Sequence, residues 1–302
     1  MLWILITIFS YFLLALTALG DKYLLSGKPE PKSYNFFINL PGVLLLFLIP
    51  FVGFIKPDFK QIVLSLLAGG FGVFAGYFLY VALERFEASR VIPTIGSILP
   101  LFTLGIIYVS TGKGPGPESL TAFFLLVLGS ILISFEKGKE ISLSSFSFSA
   151  MAAFLFALSF VFIKNLYLEL PFWTTLILTR LGAFLVSLVF LFNKEARKEI
   201  FQKKSLFQKN TGVVFLTTQG IGTIATLLQN WAVFLAPLGF LAFINALEGT
   251  RYVFLFGLSV FISMKFPRIL KEQVSKQVIF QKAVAILVII IGLGVLAFST
   301  KA

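Results

Sequence analysis

The sequence predicts an all-α polytopic membrane protein with ten transmembrane helices, arranged as two inverted five-helix repeats. Composition, the spacing of apolar segments and an internal repeat support this prediction. Of the 302 residues, 58% are hydrophobic and 13% are charged, whereas soluble domains carry about 25% charged residues. The mean hydropathy is +0.97. So few charges could not cover a water-exposed surface, and we expect a lipid-facing exterior in the cell membrane.

Ten apolar segments can be separated at short charged or Pro/Gly-rich breaks. A transmembrane helix needs about 20 mostly apolar residues, and the segments match this length. The predicted spans are 2–21, 34–55, 61–83, 88–110, 118–135, 146–166, 171–192, 211–235, 237–264 and 279–299. The longest break is 193–210, so no break can hold a water-soluble domain.

Three pairs of similar segments relate the two halves of the chain. The pairs are FLLALTALGDK (12–22) with FLFALSFVFIK (154–164), GFGVFA (70–75) with GIGTIA (220–225), and LGSILISF (128–135) with IGLGVLAF (291–298). Because five is odd, the second copy enters the membrane in the opposite orientation, as in the inverted repeats of secondary transporters. We therefore divide the chain into residues 1–140 and residues 141–302.

Two features of these segments have simple structural interpretations. Lys22 and Lys164 close the first pair, and we interpret both as helix ends at the membrane interface rather than as substrate ligands. Gly72 and Gly76, within a segment that also holds Gly69 and Gly70, have the spacing that lets membrane helices approach closely.

One region resembles a known family of transporters. The segment YVALERFEASRVIPTIGSILPLF, Tyr80 to Phe102, and more weakly NWAVFLAPLGFLAFINALE, 230–248, are similar to the drug/metabolite transporter superfamily, specifically its EamA-like ten-helix transporters. In the first segment the similarity is carried by Ala82, Leu83, Ala88, Pro100 and Phe102. It implies a central cavity formed by four helices from each half, with the fifth and tenth helices at the periphery.

Charged residues at the middle of predicted spans are the strongest site candidates. Placing a charge there costs about 2.5–3.5 kcal/mol, so such a group faces a cavity or a partner. Arg180 lies in the seventh span, and Glu248 and Arg251 lie in the ninth. Asn245 precedes Glu248 by three residues and shares its helical face. Other polar candidates at membrane depth are Asn39, Gln219, Asn230 and Tyr80.

These charged residues allow two interpretations. In the first, Arg180 and Arg251 offer guanidinium groups to a carboxylate or phosphate of a solute, and Glu248 balances one arginine, binds an amine or carries a coupling proton. In the second, Glu248 forms a buried ion pair with Arg180 or with Arg251 that locks the seventh and ninth helices together. Two cations against one acid favour an anionic or zwitterionic solute.

Composition also excludes several kinds of chemistry. The chain has no Cys and no His, which removes thiolate nucleophiles, imidazole catalysis and the commonest metal ligand. We therefore predict no enzyme, no catalytic residue, no metal and no cofactor. The net charge of +12 is spread over short loops, which indicates contact with anionic lipid headgroups rather than with nucleic acid.

The sequence thus predicts a secondary, non-ATP-driven transporter that works by alternating access. Its expected partners are a small-molecule solute, the lipid bilayer and protons. The solute would be an amino acid or another anionic or zwitterionic metabolite or drug. The alternative is a membrane-embedded lipid-processing enzyme or a lipid flippase.

Overall fold

A computed structural model describes residues 2–25, 31–86, 88–134, 143–202, 209–265 and 276–299. Over these ranges the protein is all-α. Its helices are α1 (Leu2–Leu25), α2 (Pro31–Asn39), α3 (Phe59–Arg85), α4 (Ala88–Thr111), α5 (Pro117–Ser134), α6 (Leu143–Glu169), α7 (Phe172–Ser187), α8 (Lys194–Gln202), α9 (Lys209–Leu235), α10 (Leu241–Ala246), α11 (Glu248–Lys265) and α12 (Lys276–Ser299). Short 3₁₀ segments extend α2 to Phe51 and α7 to Phe192, and Leu238–Phe240 precedes α10.

The lengths and composition of these helices show a multi-pass membrane protein. Within the described ranges, nine helices are long and apolar enough to cross a membrane, and Pro117–Ile133 forms a shorter apolar helix. Each of the ten apolar segments predicted from the sequence contains helix in the structure. The segments therefore correspond to real elements.

The prediction was incomplete for the break at 193–210, because this segment contains α8. Ala196 and Ile200 are buried, and residues four apart lie on the same face of a helix. The side-chain oxygen of Asn193 accepts the backbone N–H groups of Glu195 at 3.1 Å and Ala196 at 3.0 Å, which caps the start of the helix. α8 is too short and too polar to cross a membrane, and it packs against the end of the α7 extension.

Helix packing places the two long helices α1 and α9 side by side, and α3 beside α6 and α7. α4 packs against α6 and α10, while α5 and α12 pair with each other. All six residues of α10 are buried, so this short helix lies in the middle of the molecule. Apolar side chains such as Phe124 and Ile290 are exposed on α5 and α12, which gives that pair a broad lipid-facing surface.

The backbones of α3 and α7 touch where two glycines meet. A Cβ atom on Gly69 would overlap the backbone nitrogen of Ala183 and lie 2.6 Å from the carbonyl oxygen of Thr179. A Cβ atom on Gly182 would lie 2.7 Å from the carbonyl oxygen of Ser65. The close helix approach predicted for the glycine-rich segment of α3 is therefore confirmed at Gly69.

The ninth predicted span is broken at Leu247, between α10 and α11. The Thr250 N–H bonds the Leu247 carbonyl, three residues back, at 2.9 Å. Two carbonyls beside the break accept side-chain hydroxyls instead: Ile244 from Tyr11 at 3.0 Å, and Ala246 from Ser130 at 3.4 Å. Side chains of α1 and α5 thus satisfy backbone groups that a continuous helix would satisfy itself.

The interpretation of Lys164 as an interfacial helix end was wrong. Its side chain is 2% exposed, and α6 continues five residues beyond it to Glu169. The Lys164 Nζ donates to the carbonyls of Val233 at 3.0 Å and Phe234 at 3.1 Å, near the end of α9. The Val233 carbonyl would normally accept from residue 237, which is proline and has no N–H. The Lys22 side chain lies outside the described side chains.

We expect Lys164→Met to destabilise the protein by about 2–3 kcal/mol, because two buried carbonyls would lose their donor. Thermal and denaturant unfolding in detergent micelles would measure the change. Lys60→Met is the matched control, since Lys60 forms an exposed ion pair with Glu169 at 3.2 Å and should contribute about 0–1 kcal/mol. Equal losses in the two variants would contradict the capping role of Lys164.

Candidate functional site

A central cavity of about 230 Å³ opens between α2, α3, α6, α7 and α9. Its polar lining comes from Asn35 and Asn39 on α2, Tyr80 on α3, Ser159 on α6, Thr179 and Arg180 on α7, and Thr226, Gln229 and Asn230 on α9. Four predicted site residues therefore meet here: Asn39, Tyr80, Arg180 and Asn230. They come from both halves of the chain, so the cavity exists only in the folded molecule.

Arg180 is a half-buried cation that reaches this cavity. Across the described residues, its guanidinium has no hydrogen-bond or ion-pair partner, and its electrostatic neighbour is the Tyr167 phenol. The backbone at Arg180 is held tightly, because a Cβ atom on Gly42 would lie 2.9 Å from the Arg180 carbonyl oxygen. A closely packed backbone and a guanidinium fork without a partner among the described residues suit the binding of a planar oxyanion.

Two asparagines of α2 form one wall of the cavity. The Asn39 side-chain nitrogen lies 2.8 Å from the Asn35 carbonyl and 3.1 Å from the Asn35 side-chain oxygen. Asn35 in turn donates to the carbonyl of Val73 on α3 at 2.7 Å. The amide of Asn35 is thereby fixed to a helix backbone, and it orients Asn39 toward the cavity.

The opposite wall belongs to α6 and α9. The Tyr167 hydroxyl donates to the side-chain oxygen of Asn230 at 3.2 Å, and the Asn230 amide donates to the Thr226 carbonyl at 2.8 Å. The neighbouring Gln229 donates to the Tyr11 hydroxyl at 3.3 Å. Because Tyr11 also bonds the Ile244 carbonyl, Gln229 connects the cavity wall to the helix break at Leu247.

A second polar cluster surrounds the ion pair on α11. The Arg251 guanidinium and the Glu248 carboxylate are 3.3 Å apart, and both are largely buried. The buried Nε atom of Arg251 has no hydrogen-bond partner in the described part of the chain. Tyr252 and Tyr11 both lie within electrostatic range of Glu248 and Arg251.

Asp21 on α1 extends this second cluster. Its carboxylate accepts the Tyr34 hydroxyl at 2.8 Å and the Gln219 amide at 3.4 Å, and it attracts Arg251 electrostatically. The Tyr80 ring packs edge-on against the Tyr34 ring, with 5.1 Å between centroids. Tyr80 also lies within electrostatic range of Asp21 and Arg251, so it connects the cluster with the cavity.

The structure therefore places seven of the eight predicted site residues in two groups, the cavity lining and the second cluster. Asn245 belongs to neither group. Glu248, Arg251 and Gln219 belong to the second cluster rather than to the cavity lining. The predicted alternative of a buried pair holds for Glu248 with Arg251, but both residues lie on α11, so this pair does not join two helices. The alternative Glu248–Arg180 pair does not form.

Asn245 lies apart from both groups. It is 0% exposed, and its amide donates to the Thr103 hydroxyl on α4 at 2.9 Å. Asn245 lies in α10 and Glu248 begins α11, so the two residues do not belong to one continuous helix. The contact indicates a helix-packing role in this conformation.

Sequence reasoning missed Asp21, Asn35, Tyr11 and Tyr34. Asp21 was placed at a span end, but α1 continues to Leu25, and Asp21 lies inside the helix. The apolar residues Tyr23, Leu24 and Leu25 that follow Asp21 were a signal for the longer helix. No sequence signal distinguishes Asn35 from Asn39.

Comparisons with known proteins show the fold alone. No family model and no curated protein matches the chain. One of 29 matching solved chains, described only as the crystal structure of a protein, aligns with a TM-score of 0.70 over 97% of each chain. The sequence identity of that pair is 14%, so the likeness extends to the arrangement of helices and not to function.

Proposed function

We propose that the chain is a secondary transporter of a small organic anion or zwitterion in the cell membrane. It would work by alternating access as an EamA-like member of the drug/metabolite transporter superfamily. Its ten spans would form two inverted repeats, residues 1–140 and 141–302. In this proposal α1, α2, α3, α4 and α5 correspond to α6, α7, α9, α10–α11 and α12, in that order.

The pattern of helix contacts supports this repeat. Exchanging each helix for its counterpart converts the α1–α9 contact into the α6–α3 contact, and both are among the most extensive in the molecule. The same exchange converts α1–α11 into α6–α4 and leaves α5–α12 and α2–α7 unchanged. Such a pattern is expected of two halves related by a twofold axis in the membrane plane.

Matched side-chain contacts support it as well. Thr17 and Ser159 occupy equivalent positions in the first segment pair, and Gly72 and Gly222 do so in the second. A Cβ atom on Gly222 would lie 3.2 Å from Thr17, and one on Gly72 would lie 3.3 Å from Ser159. The same small-residue contact therefore occurs in both halves, at positions chosen from sequence similarity alone.

The observation that carries the proposal is the guanidinium of Arg180 at the cavity, without a partner among the described residues. A cation at membrane depth is costly unless it has a counter-charge. A protein that retains such a group without a permanent partner gains one when an anionic solute binds.

The second cluster suits coupling to protons. Glu248 and Asp21 are carboxylic acids that lie inside membrane helices, and Arg251 attracts both. A proton on either acid would weaken its attraction to Arg251 and change the balance between α1 and α11. Tyr80 and Gln229 would transmit this change from the second cluster to the cavity.

Single-cysteine labelling tests alternating access without knowledge of the solute. Since the chain has no cysteine, Leu79→Cys places one thiol in the cavity. We expect a membrane-impermeant maleimide to label it from either side of oriented vesicles, because each conformation opens the cavity to one side. The vesicles should stay impermeable to the maleimide itself, because a transporter is never open to both sides at once.

Leu101→Cys is the control, because Leu101 lies on an exposed apolar face of α4 and should not react with a water-soluble reagent. Labelling of Leu79→Cys from one side only would contradict alternating access. Passage of the maleimide through the protein would indicate a channel instead.

A further inference from the structure

The charge of the cavity lining restricts what the cavity can hold. Among the described residues that line it, Arg180 is the one residue of fixed charge, and none of them is Asp, Glu or Lys. Resting on the proposed transport function, we infer that the solute is a small monocarboxylate with an apolar, ring-sized body and without an ammonium group. Its carboxylate binds Arg180.

Charge neutrality selects the monoanion. A monocarboxylate paired with Arg180 makes the filled cavity neutral, which is the least costly state for a site that moves within a membrane. A zwitterion would leave one positive charge in the cavity, and a dianion would leave one negative charge. Either residual charge would lie unpaired at membrane depth, so both kinds of ligand are disfavoured.

The acids of the second cluster are not available to an ammonium group in the cavity. Glu248 is engaged by Arg251 at 3.3 Å, and Asp21 accepts hydrogen bonds from Tyr34 and Gln219. Neither acid belongs to the cavity lining. Among the described lining residues, an amino group next to the bound carboxylate would therefore meet amide and hydroxyl groups but no counter-ion.

The rest of the lining determines the size and polarity of the part of the solute that lies beyond the carboxylate. Besides Arg180 and the amides, the lining has four hydroxyl side chains, Tyr80, Ser159, Thr179 and Thr226, and a larger apolar surface that includes Ile38, Leu79, Phe156, Phe160 and Ile163. A cavity of about 150 Å³ lined by such residues holds one benzene ring. The present cavity of about 230 Å³ therefore accommodates a ring with a short carboxylate-bearing chain, and its phenylalanines can pack against that ring.

A set of matched compounds tests the inference by calorimetric titration of the purified protein. 3-Phenylpropanoate has the inferred charge and size. Phenylalanine adds an ammonium group to the same skeleton, benzylmalonate adds a second carboxylate, and 3-phenylpropanamide removes the charge. We expect 3-phenylpropanoate to bind at least about tenfold more tightly than each of the other three, since charged hydrogen bonds contribute that much.

Substitutions of arginine residues test which guanidinium group binds the carboxylate. Arg180→Gln should weaken binding of 3-phenylpropanoate roughly 10- to 100-fold and leave the weak binding of 3-phenylpropanamide unchanged. Arg197→Gln removes an exposed guanidinium on α8 and should change neither affinity. The compound series on the unaltered protein keeps the test valid if Arg180→Gln does not fold.

The outcomes separate this inference from the proposed function. Equal binding of phenylalanine and 3-phenylpropanoate, binding of none of the four compounds, or full binding in folded Arg180→Gln would overturn the monocarboxylate assignment. Counterflow of phenylalanine in proteoliposomes that depends on Arg180 would overturn it while supporting transport. Selective binding of 3-phenylpropanoate without counterflow would support the assignment and contradict the transport function.

Discussion

Gly69→Ala is expected to destabilise the protein by about 3 kcal/mol, the upper part of the usual range for overpacking a core. The added methyl group would overlap the Ala183 backbone nitrogen and lie 2.6 Å from the Thr179 carbonyl oxygen. Backbone atoms cannot turn aside as a flexible side chain can, so α3 and α7 must separate. Denaturant unfolding in micelles measures the loss, and binding at Arg180 on α7 should weaken with it.

Gly70→Ala provides the neighbouring control. Its methyl group would meet only the Val186 side chain, at 3.4 Å, while alanine improves helix propensity by up to about 1 kcal/mol over glycine. We therefore expect Gly70→Ala to be neutral or stabilising. If both variants unfold at the same denaturant concentration, α3 and α7 do not approach as closely as the structure shows.

Glu248→Met is expected to cost about 3–5 kcal/mol, the usual loss when one partner of a buried ion pair is removed. Arg251 would keep its charge in a largely buried place, where its Nε atom already lacks a partner among the described residues. Thermal unfolding in micelles would show the loss as a lower melting temperature.

The double variant Glu248→Met with Arg251→Met separates charge from packing. Replacing both partners of a buried pair by apolar residues is often neutral or stabilising, so the double variant should recover most of the stability that Glu248→Met loses. An equally unstable double variant would show that the cost does not arise from the uncompensated arginine.

The helical elements were predictable because lipid imposes a simple rule on a spanning segment: apolar side chains for about 20 residues. The helix ends were less predictable, since α1 passes Asp21 and α6 passes Lys164. A charged residue can stay inside a membrane helix when a partner from a distant segment satisfies it, as Val233 and Phe234 do for Lys164. Such partners depend on the tertiary fold.

From the sequence, the candidate site was predictable only as a set of charged residues whose placement within the membrane costs free energy. Their position in the middle of predicted spans made Arg180, Glu248 and Arg251 the candidates. It did not identify the break at Leu247, which divides Asn245 from Glu248, or the contact of Asp21 with Gln219. Those features depend on which groups a side chain from another helix can reach, and periodicity carries no such information.

The break at Leu247 also divides the contacts of the ninth span between two helices. Asn245 fastens α10 to Thr103 on α4, whereas the ion pair lies on α11, beyond the joint. Tyr11 and Ser130 hydrogen-bond the carbonyls at this break, so a tilt of α11 would not have to disrupt an unbroken helical ladder. Such a tilt would move Glu248 and Arg251 together relative to Asp21, because both residues lie on α11.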